Sequence, residues 1–516
     1  MTARDVLAFL VAALWCATAF GQQTGPSSSD APYILPRAEG VLTVAILTAG
    51  DSVNLKPYGL GPYRLAGKAD GLGALDNGDG TFTLLVNHEI KDSQGVTRVH
   101  GRHGSYVSRW LIEKASLRVI HGKDQIERLL LWDDSTGRHV PDTTAFDKLC
   151  SGDLAAPGAY YYPGKNLGVK ERLYLCGEEK YDRKGNGEGR ALAHVVDGHE
   201  AGTTFELPHH GFVSVENVVA NPMPSELTIT VSLDDVALSD PEVPFLGQVY
   251  VYVGEKQSTG TIVERAGLVG GTLYGVNVEG MPAEDREDRD EVPAKRFHLE
   301  AIPNEGVRDG KAMEAFSFSQ GITGFHRLED GGWDPNAFTD FYFVSSDRYD
   351  TLTKDPGYIP LKNARYPPAI GQAGRTRLWR LRFDDLARPA SGGELSMILD
   401  GRGPYQCFDN LCVSRDGRIL LQEDLGEVAA TSRIWEYTIA TQALRLVAEF
   451  DPARFSRDAP EQDRITLDEE SSGIIDASEI LGENWFLLTA QPHYRHPDPE
   501  LVSGSQLLAM FIPPTP

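Results

Sequence analysis

Six apolar, β-favouring runs, each closed by polar or acidic residues, recur along the chain and constrain its fold more than any other feature. They are residues 81–89 (TFTLLVNHE), 171–179 (ERLYLCGEE), 227–235 (LTITVSLDD), 340–348 (DFYFVSSDR), 417–424 (GRILLQED) and 484–493 (NWFLLTAQPH). Runs of this length and composition, bounded by Gly, Pro, Asn and Asp, read as strands. Each follows an opening residue and a shorter strand. Asp70 opens the first unit, which turns at Asn77-Gly78-Asp79-Gly80 and closes on Glu89. Cys150 opens the second, closing on Glu178 and Glu179; Glu216 opens the third, closing on Asp234 and Asp235. Glu329 and Asp330 precede the run that ends at Asp347 and Arg348, Asp409 opens a unit closing on Glu423 and Asp424, and Glu470 opens one closing on Gln491 and His493. A hairpin returns its second strand to the edge where the first began, so Asp70 and Glu89 should face the same side.

Repetition on this scale predicts an all-β chain, a six-bladed β-propeller with large inserted loops, occupying residues 41–516. The 53 Gly and 31 Pro residues fit short strands with frequent turns. Residues 140–170, 284–291 and 349–377 are the expected insertions. In a propeller the inner strands line a central channel, so acids at equivalent strand ends meet there. Four or more carboxylates share one pocket only when cations neutralise them, which points to a metal cluster.

The formal charge of −25 argues against nucleic acid or an anionic membrane surface as a partner. Residues 1–21, with Arg4 before an apolar run and small residues at Ala17, Ala19 and Gly21, read as a secretory signal peptide, so an exported protein, periplasmic or extracellular, is expected. The apolar run is too short to span a bilayer, so no membrane insertion is expected. Residues 22–40, polar and rich in Ser and Pro, read as a flexible N-terminal segment. Four cysteines remain beyond the signal. An oxidising compartment favours two disulfides, Cys407 with Cys412 and Cys150 with Cys176; the alternative makes one of them a metal thiolate.

The ordered succession ADGLGALDNGDGTFTLLVNHE (69–89), HGSYVSRW (103–110), CSGD (150–153), LYLCGEE (173–179), FVSVENV (212–218), LDD (233–235), RLEDGGWDP (327–335) and the later DN, ED, ESSGI and QPH elements resembles the PhoX-type alkaline phosphatase family. That resemblance covers most of the chain beyond residue 40. It implies a six-bladed propeller that holds calcium and iron at its axis and hydrolyses phosphate esters. By motif it puts Glu89, Cys150, Glu178, Glu179 and Glu216 among the metal ligands. Departures from the family pattern lie near these positions: Gly177 separates Cys176 from Glu178, Ser214 and Val215 precede Glu216, and the last element runs Gln491-Pro492-His493. The family's twin-arginine start is replaced by the lone Arg4, which favours assembly outside the cytoplasm and hence calcium.

The full expected ligand set is Glu89, Cys150, Glu178, Glu179, Glu216, Asp234, Asp235, Glu329, Asp330, Asp409, Asp424 and Glu470. Oxygen ligands suit Ca²⁺, and a thiolate among them points to iron or another transition metal. Arg348 is the expected clamp on a phosphate oxygen, His493 a metal ligand or proton donor, and a small phosphorylated compound the expected substrate. His88 is expected to hydrogen-bond within the site or to backbone. Other signatures fail. Residues 158–165 (GAYYYPGK) lack the spacing and the Ser or Thr of a phosphate loop, and no Gly-x-Ser-x-Gly elbow occurs. Residues 182–187 (DRKGNG) place Lys184 where a calcium ligand belongs. Competing readings are a calcium-stabilised propeller that binds a partner without catalysis, and a phytase-like or esterase-like propeller.

Overall fold

Inner strands at the start of each sequence unit pack side by side in a closed ring: Ala69–Asp76, Leu149–Asp153, Val215–Ala220, Leu328–Asp334, Phe408–Val413 and Glu469–Asp476, the last returning to the first. The structure is a computed structural model and describes residues 21–57, 60–180, 189–235, 247–284, 293–303, 308–346, 376–426 and 430–514. Each inner strand pairs antiparallel with the closing strand that sequence periodicity marks, giving hairpins Ala69–Asp76 with Thr81–His88, Leu149–Asp153 with Leu173–Glu178, and so on to Glu469–Asp476 with Trp485–Pro492. Further strands extend each hairpin outward, and the result is a six-bladed propeller.

Both ends of the chain build the sixth blade. Leu42–Thr48 pairs with Gln506–Phe511, which pairs with Trp485–Pro492, so one sheet closes the ring. Residues 22–36 are not a loose lead-in. Gln22–Thr24 runs parallel to Leu42–Thr48, and Ile34–Pro36 pairs with Ala443–Phe450 of blade 5. Their free edge groups find partners only by joining sheets, which outweighs the polar composition. Residues 140–170 are not a plain insertion either, since they contain the inner strand of blade 2. Blades 3 and 4 merge at the rim, where Lys295–Ala301 pairs with both Thr272–Val278 and Gly393–Leu399. The signal segment, apart from Gly21, and the runs 285–291 and 349–375 lie outside the described residues.

A blade is apolar on both faces because it is covered on both, and each of the six blade interfaces has its own core. Val231, Phe341 and Trp379 belong to the one between blades 3 and 4, and Phe82, Trp110 and Leu507 to the one between blades 6 and 1. Trp379 is 1% exposed, and its Nε1 donates to Ser345 Oγ at 2.9 Å. Trp379→Ala is expected to cost about 3–5 kcal/mol, read as a lower urea midpoint with metal content unchanged in the folded fraction. Among the described residues no helix is long and apolar enough to cross a membrane.

Candidate metal centre

All six hairpins end in the same way. The inner strand carries one extra residue relative to its partner, a β-bulge, directly after its first paired residue in blades 1 to 5 and at Gly473 in blade 6. Bulges bend the strand and re-aim side chains. The residue that follows the closing strand then donates its N–H to the carbonyl of the residue before the inner strand. These pairs are Glu89 to Lys68, Glu179 to Lys148, Asp235 to Ser214, Ser346 to Arg327, Asp424 to Cys407 and His493 to Asp468, at 2.6 to 3.0 Å. The second residue of each inner strand therefore occupies one equivalent place around the axis: Asp70, Cys150, Glu216, Glu329, Asp409 and Glu470.

These six, with Glu89, Glu179 and His493, bring metal-ligating atoms together. Four groups have all their ligand atoms within 4.8 Å of one another: Asp70, Glu89 and Cys150; Glu89, Glu470 and His493; Cys150, Glu179 and Glu216; Glu216, Glu329 and Asp409. Glu89, Cys150 and Glu216 each belong to two groups, so the set is continuous around the axis. Close backbone approach makes this possible. A Cβ at Gly71 would lie 2.4 Å from Gly152 N, and one at Gly473 would lie 2.2 Å from Asp70 O. Only glycine lets the inner strands of blades 6, 1 and 2 meet this tightly.

Neighbouring acids divide by the parity of the strand. Glu179, Asp235 and Asp424 turn to the ring, with Asp235 Oδ2 and Asp424 Oδ2 lying 4.0 and 3.8 Å from the Arg327 guanidinium. Their predecessors do not. Glu178 accepts from Asp147 N at 2.9 Å and pairs with Arg190 at 3.2 Å, and Asp234 accepts from Ser214 N at 3.2 Å. Asp330 follows the ring residue Glu329 and points along the channel, accepting from Asn217 Nδ2, Gly331 N and Leu411 N. The structure thus places five expected ligands outside the four groups: Glu178, Asp234 and Asp330 because adjacent residues on a strand face opposite ways, and Asp235 and Asp424 beside the Arg327 guanidinium instead. Arg348 lies outside the described residues.

Burial and mutual repulsion push the carboxyls of Asp70, Glu216, Glu329 and Asp409 well above their usual range. Burial, with the neighbouring Glu216 and Glu179, likewise raises the Cys150 thiol, whose Sγ lies 3.0 Å from Glu179 Oε2. Glu89 differs. Burial opposes its charge, but Lys68, Lys148 and His493 draw it down to about 2. Burial and Lys68 also oppose a charged His493, yet bonds to Asp468 and Glu470 hold it at about 9. His88 is neutral, held at about 3 by burial, with Nδ1 donating to Gly67 O and Nε2 accepting from Ser108 Oγ.

Among the described residues no disulfide joins any of the four cysteines. Cys150 faces the axis and Cys176 the core between blades 1 and 2, where its Sγ lies 3.2 Å from His194 Nε2. Cys407 packs against Leu425, and Cys412 against the core between blades 5 and 6. Each expected disulfide is thus split between two environments.

Three cations at the ring escape notice in the sequence: Lys68, Lys148 and Arg327. A signal exists, the spacing Lys68-Ala69-Asp70, Lys148-Leu149-Cys150 and Arg327-Leu328-Glu329, a basic residue two before each ligand. Below the ring, Asn410 Nδ2 reaches across the axis to Ser151 Oγ at 2.7 Å, and Ser151 Oγ donates to Glu216 Oε1 at 2.7 Å. Beyond it all six inner strands line a cavity of about 240 Å³ that includes Asp153, Asp330 and Asp476.

The chain's sequence matches no family model and no curated protein. Solved structures do resemble it. The α-L-arabinanase of Penicillium chrysogenum complexed with arabinobiose aligns over 93% of this chain and 99% of its own at 8% identity and a TM-score of 0.41. The GH93 α-L-arabinofuranosidase of Fusarium graminearum, also with arabinobiose, aligns over 85% and 92% at 10% identity and a TM-score of 0.39. Pseudomonas fluorescens PhoX, in complex with vanadate, a transition state analogue, aligns over 96% of this chain and 98% of its own, with 12% identity and a TM-score of 0.61. At that identity the likeness is one of fold, and the chain has a PhoX-like propeller.

Proposed function

We propose that the chain is an exported, metal-dependent phosphoric ester hydrolase of the PhoX-type alkaline phosphatase kind, with its metals at the propeller axis. The observation that carries the reading is the convergence of one equivalent residue from every inner strand into four overlapping ligand groups. The donor set fits cations. Its carboxylates outnumber the cations beside them, Lys68, Lys148 and Arg327, and oxygen donors predominate with one thiol, which suits calcium and admits iron at Cys150. Glu216, Glu329 and Asp409 would hold one ion, and Cys150 and Glu179 would share Glu216 with a second. Bound there, such ions supply Lewis acidity toward phosphoryl oxygens and offset the repulsion between substrate and ring. The likeness to a protein crystallised with vanadate supports a phosphoryl substrate over a sugar.

The chain's own residues account for the remaining tasks. His493, carrying a proton at neutral pH between Asp468 and Glu470, can deliver it to the leaving-group oxygen. Arg327, with Nε 2.8 Å from Glu329 Oε1, fixes that carboxylate and keeps a positive charge at the ring. The Asn410–Ser151–Glu216 chain of hydrogen bonds holds Glu216 in place and closes the floor of the site.

Turnover of p-nitrophenyl phosphate by the purified protein tests the reading. Activity is expected, lost on chelation and restored by calcium, iron or both. Protein that retains metal but turns over no phosphate ester would instead be a calcium-stabilised binding propeller. Cys150→Ser removes the soft donor, so it is expected to weaken retention of iron about 10-fold or more while leaving calcium content unchanged, as read by elemental analysis.

A further inference from the structure

Lys68, Lys148 and Arg327 share one structural position, the residue before an inner strand, and all three adopt positive φ, at 57°, 30° and 45°. That backbone is rare for long side chains. Here it accompanies side chains that reach the carboxylate ring. Lys68 and Lys148, from adjacent blades, converge on one carboxylate. Lys68 Nζ lies 3.5 Å from Glu89 Oε2, and Lys148 Nζ lies 3.9 Å from Glu89 Oε1. Lys148 also pairs with Glu179, and Lys68 Nζ is 2.9 Å from His493 Nε2. Both oxygens of Glu89 and the Nε2 of His493 therefore already face a positive charge. These are ligand atoms that a metal ion in the Glu89, Glu470 and His493 group would need. The opposite side of the ring is different, since Arg327 pairs with only one member of the Glu216, Glu329 and Asp409 group.

Building on the metal-dependent reading above, we infer that the ammonium groups of Lys68 and Lys148 fill one cation place of the ring. The Glu89, Glu470 and His493 group is then neutralised by the chain itself, and divalent ions collect at Glu216, Glu329 and Asp409, on the side of blades 3 to 5. This chain holds one ion fewer than its ring of acids would otherwise collect. A latent metal site lies beneath the two lysines.

The experiment is a calcium count per chain, by elemental analysis and calorimetric titration, in the full protein and in the double variant Lys68→Met and Lys148→Met. One additional calcium is expected in the double variant, and the wild-type count in the Lys68→Arg and Lys148→Arg pair. An unchanged or lower count in a folded Met variant overturns the inference. If the double variant folds only when calcium is added, the ion is replacing the ammonium charge as inferred. If it folds at no calcium level up to about 10 mM, above the range of weak extracellular sites, the inference falls. Failure of the parent reading is distinct. A wild-type protein that binds no ion, beside a variant that binds one, overturns the metal-dependent function and leaves the lysine assignment standing; no ion in either overturns both.

Discussion

Glu216→Gln is expected to lower kcat on p-nitrophenyl phosphate by about 10²–10³-fold, the range seen when one electrostatic contact to a reacting centre is removed. It should also release at least one bound ion per chain. Glu216 belongs to two ligand groups, so no other substitution at one carboxylate reaches more of the blade 2 to blade 5 side of the ring. The amide keeps the shape and can still accept from Ser151 Oγ, so loss of packing is not the cause. A further consequence separates this from a structural role. In metal-free protein Glu216 is a buried acid repelled by Glu179, Asp235 and Asp330, so the neutral amide should raise the Tm of chelated protein while lowering that of metal-loaded protein. Glu178→Gln is the control. That carboxylate bonds Asp147 N and Arg190 outside the ring, so its loss should reduce stability with metal content and kcat intact. Equal metal loss in the two variants would sink the assignment.

The contrast between Glu178 and Glu179 also shows where the sequence stops being legible. Six strand-closing motifs were enough to predict the propeller, because an apolar, β-favouring run bounded by turn residues depends on local chemistry. The repetition also marked the acids as a set. It did not resolve the adjacent pairs, since which member faces the axis depends on where each closing strand ends and, on the inner strands of blades 1 to 5, on the bulge after the first paired residue. One extra residue reverses every side chain beyond it. Asp70 was legible as the hairpin partner of Glu89, and the Ala69–His88 pairing bears that out. The lysines were not. A basic residue before a strand is ordinarily a solvated one, and only the folded chain brings Lys68 and Lys148, from neighbouring blades, onto Glu89. The edge strands within residues 22–36 were hidden for a similar reason, as their partners lie more than 400 residues away in the case of Ile34–Pro36.

Chelated protein is expected to lose stability between pH 5 and pH 8, whereas calcium-loaded protein should hold its Tm nearly constant. Asp70, Glu216, Glu329 and Asp409 have folded values raised above their unfolded ones by burial and neighbouring acids. Such groups bind protons more tightly in the folded state. Their contribution is full below the unfolded pKa, near 4, and is lost as pH rises through the folded value. His493 acts in the same direction, contributing fully below its unfolded value near 6.5 and losing that contribution toward about 9. Glu89, drawn down to about 2, acts oppositely, but its contribution is already complete above pH 5. His88, His194 and His210, held neutral at about 3 by burial, also act oppositely, but only below their unfolded value near 6.5, so the loss set by the raised acids is steepest between pH 6.5 and pH 8. Calcium removes the penalty by pairing with the ionised forms. At a thousandfold excess over Kd, one calcium adds about 4 kcal/mol, which for a domain of this size raises Tm by about 4 °C at pH 8. At pH 5 protons compete for the same oxygens, so less than half of that rise is expected. A chelated protein whose Tm is flat or rises over the interval would mean that the ring acids are already neutralised within the chain, and that the axis of this propeller has no call for metal.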